Sequence, residues 1–433
     1  MRPTQSSIPT RRSLCGPHCK SREQGSGIRI EPTPIVELFG APWCKERRNS
    51  YPLLSRSCPL VSDSFIYPFP MDHNRRIGLL RRRTTRAGLH GLLVTHLPDV
   101  RYLCGFTGSS AALAVTRRAV HLFTDGRYTT QAAEEVHAAK VQIVASSPAT
   151  NAVAWLAAQH GVQFAGYDST RTTVADLARL RAALPSHLRR SFLTPLAAPL
   201  VEPLRWVKDD DELRILSEAA LLGCKLFEHL LTFIRPGLAE IEVAAELEYR
   251  ARQMGAEGMS FESIVASGPR SALPHGRATA SLLPRRGFLT LDFGIIREGY
   301  CSDMTRTVHL GKPSAKERET YQAVLEAQES AVAAVSGGAL CGDVDEAARS
   351  LLRKAGLAEA FSHSTGHGVG LEIHELPRIG SGQTTRLAAG MVITIEPGVY
   401  LPGQFGIRIE DMVAVTRSGG QVLTPAPKTL IEL

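Results

Sequence analysis

The 433-residue sequence has no apolar run approaching the ~18 residues that a membrane-spanning helix needs, which argues against an integral helical membrane protein. Nor does its start hold the apolar stretch of about 7–15 residues that marks a secretory signal. Cysteine is sparse. Cys15, Cys19, Cys44 and Cys58 fall in the first 70 residues, and Cys104, Cys224, Cys301 and Cys341 are scattered through the rest. Cysteines so spread make no disulfide scaffold and point to a reducing compartment, the cytoplasm. Basic charge is scarce once it is located. The net charge is +8, but residues 1–70 hold ten Lys or Arg against five Asp or Glu, so the remaining 363 residues carry only +3. That residue of charge is an ordinary surface and excludes a nucleic-acid partner. No internal repeat of fixed short period is present.

What is present divides into three parts. Residues 1–70 are rich in Ser, Pro and Arg and sustain no helical or strand period. Their first acidic residue, Glu23, follows Arg2, Arg11, Arg12, Lys20 and Arg22, a composition that loosely fits organellar targeting. The pattern changes at Met71, which reads as the functional start, with the leader either a disordered tail or an over-extended gene start. Cys15 and Cys19 resemble a redox or metal pair without a folded context.

Residues 71–200 begin with an amphipathic helix and a buried strand, then alternate short apolar strands (AALAVT, AVHLFTD, VQIVAS, QFAGYD) with helical stretches. Alternation of this kind predicts an α/β domain with a largely parallel sheet. Residues 201–433 differ. DDDELRILSEAALLGCKLFEHLLTFI is a long helix with an acidic first turn, and AEIEVAAELEYRARQMG is a second. Strands and hairpins follow, then helices near 314–335 and 343–355, then more strands. Helices outside a curved antiparallel sheet make an α+β domain.

The chemistry concentrates in that last part. Asp292 ends the strand GFLTLDFG and Asp303 lies in YCSDMTRTVHL, with Arg297-Glu298-Gly299 at the turn, so paired strands can bring both to one side. His363 and His367 sit in HSTGHGVG, too rich in glycine for a helix. Glu396 closes the strand MVITIE before Pro397-Gly398, and Arg408 and Glu410, two apart in GIRIED, share a strand face. Taken singly, each has a plain reading: a turn aspartate, a polar loop, a solvated strand face. Taken together, Asp292, Asp303, His367, Glu396 and Glu410 are an oxygen-rich set suited to two hard or borderline divalent ions and not to a closed structural zinc. Two ions about 3.5–4 Å apart can pin and deprotonate a water, which predicts a dinuclear metallohydrolase.

The ordered text LDFG, GY-SDMTR, HSTGHGVGLEIHE, GMVITIEPGVY and G-RIEDM resembles the pita-bread metallopeptidases, specifically their Xaa-Pro aminopeptidase and prolidase branch. The likeness runs from about Gly78 to Leu433 and takes in TDGRY, a segment of the creatinase-like amino-terminal domain. It implies an α+β pita-bread catalytic domain preceded by a smaller α/β domain. It further implies that the five ligands hold two ions, usually manganese, with zinc or cobalt as alternatives, and that Asp303 and Glu410 touch both. His275, His363 and His374 match additional active-site histidines, and Arg408 matches an active-site arginine. Glu396 would also move the proton during hydrolysis. The implied substrates are peptides with proline at the second position, and the implied assembly is a homodimer or homotetramer. Arg270 stands where many relatives have Asn, which bears on the loop before His275. The rival readings are a prolidase restricted to dipeptides, a methionine aminopeptidase, a metal-free creatinase-like hydrolase and a non-catalytic peptide-binding module.

Overall fold

In the computed structural model the described residues are 71–433. The basic leader 1–70, with Cys15, Cys19 and the targeting-like composition, lies outside them. No helix among the described residues is long and apolar enough to cross a membrane. Cys104, Cys224, Cys301 and Cys341 are free and buried.

The helix His73–Arg86 opens the described chain, and the Asp72 carboxylate caps it by accepting from the Arg75 N–H at 2.8 Å. Strands Gly91–Val94, Ala111–Thr116, Val120–Asp125, Lys140–Val144, Ala165–Tyr167 and Leu193–Pro195 then build one six-stranded sheet. That sheet is mixed, which corrects the expectation of a largely parallel one. Ala111–Thr116 lies antiparallel to both Gly91–Val94 and Val120–Asp125, while the other pairings are parallel. The reason is local. Three residues after Thr116 the chain is already at Ala119, whose N–H the Thr116 hydroxyl accepts at 2.9 Å. So short a link closes a hairpin, because parallel strands need a crossover of about a dozen residues or more. Sequence periodicity also leaves unseen the helix Leu97–Cys104, whose 8 residues give little more than two turns.

A short helix, Glu202–Arg205, leads into the second part. The helix Asp210–Phe233 starts from a capping box: Asp209 accepts from the Glu212 N–H at 3.0 Å, and Glu212 accepts from the Asp209 N–H at 3.0 Å. It ends at Ile234, before Pro236. Its buried face (Phe227, Leu230) and that of Glu240–Gln253 (Val243, Leu247) cover the antiparallel strands Gly287–Phe293 and Met304–Leu310. The helices Ala315–Ala334 and Cys341–Lys354 cover Val392–Ile395 and Phe405–Arg408 in the same way. The antiparallel surface beneath these helices is built in segments and not as one unbroken sheet. Strand-to-strand contacts carry across the seams, as where the Glu410 N–H donates to the Thr305 carbonyl at 3.1 Å.

Asp411 fastens one seam. Its carboxylate is fully buried and accepts from Arg306 Nη2 at 2.8 Å, Gln328 Nε2 at 2.9 Å, Thr424 Oγ1 at 3.0 Å and Lys428 Nζ at 2.9 Å. Burial alone would raise its pKa, but Arg306 and Lys428 hold it below the usual carboxylate value. Replacing Asp411 by Ala strands the buried Arg306 guanidinium, so urea unfolding should show a loss of about 3–5 kcal/mol. A loss under ~1 kcal/mol, the size of an exposed pair, would contradict this account of the seam.

Candidate metal centre

Strand endings aim the acidic side chains inward. In the hairpin, Asp292 pairs with Thr305, so Asp303 lies two residues further on, in the gap between Tyr300–Cys301 and Met304–Leu310. The two-residue period keeps both on one face. The hairpin's far turn has φ of 46° at Glu298 and 76° at Gly299, the left-handed pair that a tight hairpin favours. Glu396 follows the end of Val392–Ile395, its N–H held by the Thr365 carbonyl at 2.7 Å. Glu410 falls between Phe405–Arg408 and Asp411–Val415, so it and Arg408 do not share an unbroken strand. His367 is the middle residue of Gly366–Gly368. A Cβ on Gly366 would stand 1.9 Å from the Thr394 carbonyl oxygen, and one on Gly368 would stand 2.4 Å from that of Leu376. Only glycine on both sides lets the histidine come this close to its neighbours.

Donor atoms of Asp303, His367 and Glu410 all lie within 4.8 Å of one another. Glu396 and Asp292 fall outside that triplet but border it. His367 Nε2 is 3.6 Å from Asp303 Oδ2 and 3.5 Å from Glu396 Oε1. Its other nitrogen, Nδ1, faces the Gly368 carbonyl at 2.9 Å and so carries the proton. Burial depresses the imidazole to about 4, leaving it neutral. A lone pair on Nε2 therefore confronts two carboxyl groups, an arrangement that needs a proton or a cation between them. Asp292 adds a second sign: Oδ2 pairs with Arg408, while its buried Oδ1 has no partner.

The charges agree. Burial raises Asp303 and Glu410 well above their usual range, and the neighbouring carboxylates raise them further. Burial raises Glu396 to about 8 against the pull of Arg408. Asp411, one residue from Glu410 and facing the other way, is given two cations; the carboxylates of this pocket share Arg408. An unpaired buried oxygen, a neutral imidazole with its lone pair inward and several uncompensated carboxylates fit divalent ions.

Arg408 holds this arrangement and does not face open space. Against the cost of burial, Tyr400 and the acidic groups keep it protonated. Its Nε donates to Thr305 Oγ1 at 3.1 Å, Nη1 to Tyr400 Oη at 2.6 Å and to the Pro274 carbonyl at 3.0 Å, and Nη2 to Asp292. Thr305 Oγ1 in turn donates to Glu410 Oε2 at 2.7 Å. His363 is similarly engaged. Nδ1 donates to the Ser364 carbonyl at 2.8 Å, and burial depresses the ring to about 4, so Nε2 must accept from Tyr400 Oη at 2.9 Å. His374 is exposed, with its ring edge-on to His367 at 4.5 Å. His275 is exposed on the loop after Pro274. Arg270 pairs with the buried Glu240 at 3.0 Å and donates to the Arg277 carbonyl at 2.7 Å, so it braces the two ends of the loop that carries His275.

Sequence reasoning does not single out Tyr400, which links Arg408 to His363, nor Thr305. Neither does it single out Asp345, which accepts from Thr365 Oγ1 at 2.7 Å and steadies the His363–His367 segment. Tyr400 had a signal, lying four residues after Glu396 in EPGVY; Asp345, on a distant helix, had none.

Residues 214–417 match metallopeptidase family M24, and residues 76–207 match the creatinase/prolidase N-terminal domain. The chain is 39% identical over 354 residues to an uncharacterized peptidase of Bacillus subtilis (strain 168), covering 82% of this chain and 99% of that protein. The chain belongs to metallopeptidase family M24. Its fold is the family's pita-bread fold with a creatinase-like domain before it. In structure it is similar to an Xaa-Pro dipeptidase from Bacillus anthracis, at 40% identity and a TM-score of 0.80, covering 84% of this chain and 100% of that one. It is also similar to an X-Pro aminopeptidase from Thermotoga maritima MSB8, at 34% identity and a TM-score of 0.75, covering 82% and 99%. Membership of this family implies divalent metal ions.

A carboxyl raised by folding binds protons that the unfolded chain has released, so its contribution to stability falls as pH rises between the two values. For Glu396 that window runs from 4.5 to about 8. Above pH 7 the depressed His363 and His367 oppose it only weakly, because both are then mostly neutral in either state. The melting temperature of metal-free protein should therefore drop between pH 7 and pH 8, less so in Glu396→Gln, and manganese should restore it most at pH 8. Equal slopes in the wild type and the variant would count against this electrostatic picture.

Proposed function

We propose that this chain is a dinuclear metallopeptidase that hydrolyses the bond between an amino-terminal residue and a following proline, as an Xaa-Pro aminopeptidase. The observation that carries the reading is the gathering of His367 Nε2 with the carboxyl groups of Asp303, Glu396 and Glu410 in one buried pocket. In this reading Asp292, Asp303, His367, Glu396 and Glu410 hold two ions, manganese first, with zinc or cobalt as alternatives. Bound there, the ions supply a water acidic enough to attack a peptide carbonyl and a positive field on the carbonyl oxygen.

The chain's own groups do the rest. Glu396 takes the proton from the attacking water and delivers it to the proline nitrogen, which leaves as a secondary amine. His374 and His275, both exposed beside the buried cluster, donate to the oxygen that gains charge. His363 has both nitrogens engaged, so it walls the proline pocket and holds Tyr400 without moving a proton. Arg408 keeps Asp292 in place. An imide bond to proline has no N–H to recognise, so selectivity rests on the shape of an apolar pocket. Exclusion of longer amino-terminal extensions falls to the first domain, of this subunit or of a neighbour in a homodimer or homotetramer.

A second reading, an Xaa-Pro dipeptidase, is favoured by the higher identity to the Bacillus anthracis protein than to the Thermotoga maritima aminopeptidase. One assay separates them. After chelation and re-addition of single ions, an aminopeptidase releases the first residue from Gly-Pro-Leu as well as from Xaa-Pro dipeptides. A dipeptidase cleaves only the dipeptides. Hydrolysis of neither, with every ion tried, would refute both.

A further inference from the structure

Away from the metal ligands, a second cluster of buried charges joins the two domains, and its position points at His374. Arg205 is 1% exposed. Its Nη1 donates to Asp99 Oδ1 at 2.7 Å, in the first domain, and its Nη2 donates to Glu372 Oε2 at 2.8 Å and also to Glu375. Lys208 Nζ donates to Glu375 Oε2 at 3.1 Å. From the first domain, His96 Nε2 lies 3.3 Å from Glu372 Oε1, and Arg171 Nη1 lies 3.3 Å from the same oxygen. Unlike the carboxylates of the metal centre, Asp99, Glu372 and Glu375 are fully matched by cations. This cluster therefore calls for no ion and has another purpose.

Glu372 and Glu375 bracket His374. The loop between them has its own reinforcement: the Glu372 N–H donates to Glu375 Oε1 at 3.3 Å, and the Cys301 N–H donates to the Gly370 carbonyl at 2.8 Å. A Cβ on Gly370 would stand 2.7 Å from Glu375 Oε2, so the carboxylate is folded tightly under the loop. An exposed histidine on an irregular loop has little packing to fix it; here two buried or half-buried carboxylates fix the backbone on either side.

We propose that Arg205 is a positioning residue for His374: by bridging Asp99 to Glu372 and Glu375, it makes the first domain set the placement of a histidine at the reaction centre. The proposal rests on the peptidase reading for its kinetic consequence, but not for its structural one. A guanidinium can span these partners with two prongs, whereas an ammonium supplies the charge at one point.

The test uses Arg205→Lys and Glu372→Gln in the full chain. Loaded with manganese and assayed on Ala-Pro, both should lose kcat by roughly 10- to 100-fold, with KM little changed, as expected for a misplaced catalytic group. In metal-free protein labelled with ¹⁵N-histidine, the His374 ring signals (assigned with His374→Gln) should shift or broaden while those of His309 stay fixed. Unchanged His374 signals in a folded variant overturn the proposal, whatever happens to the rate. If Arg205→Lys does not fold, Glu372→Gln decides on the same readings, since Glu372 is only half-buried. If the wild type cleaves no Xaa-Pro peptide, the peptidase reading fails and the ring signals alone decide this one.

Discussion

Carboxylates repel, and burial sharpens the repulsion because little water remains to screen it. Asp292, Asp303, Glu396 and Glu410 are nonetheless brought to one pocket, with Arg408 as the cation among them. The surrounding structure is organised to tolerate this. Strands stop at Asp303, Glu396 and Glu410 so that each side chain can turn inward, and glycines flank His367 so that it can approach. The hydrogen bonds of Thr305 and Thr394 hold oxygen atoms that would otherwise swing apart. Where a buried carboxylate serves the fold or a junction, as at Asp411 or Glu375, cations match it in full. The contrast between adjacent residues is sharp: Asp411 is matched by Arg306 and Lys428, whereas Glu410 is raised by burial and by its acidic neighbours.

Much of the architecture was legible because local signals agreed with each other. The acidic first turn and Pro236-Gly237 delimit the long helix from sequence alone. The candidate ligands were legible because motifs carry them; Glu396, for one, directly precedes Pro397, just past the end of its strand. Other features were not. The direction of the first sheet depends on a three-residue link after Thr116, which composition does not distinguish from a loop. The brief helix Leu97–Cys104 lies against an apolar strand and shows no period of its own. The family resemblance implies an active-site role for Arg408; in the structure its donors are spent on Asp292, Tyr400, Thr305 and Pro274. Partnerships such as Asp345 with Thr365, or Arg205 with Asp99, join residues far apart in the chain and leave no local trace.

The two domains meet through charge as well as through packing. Leu371, next to the bracketing glutamates, packs against the core of the first domain, and the Arg205 cluster runs beside it. A junction held by charge and by packing suits the role proposed for His374, which asks for precise placement of an exposed ring.

The central claim is that the crowded carboxylates and His367 exist to hold cations. Anomalous diffraction at the manganese edge, from crystals soaked in manganese chloride, tests it most directly. The account predicts two peaks inside the pocket, about 3.5–4 Å apart, touched by Asp292, Asp303, His367, Glu396 and Glu410. Crystals that show no peak within reach of these side chains, at a manganese concentration that saturates other sites, would contradict it.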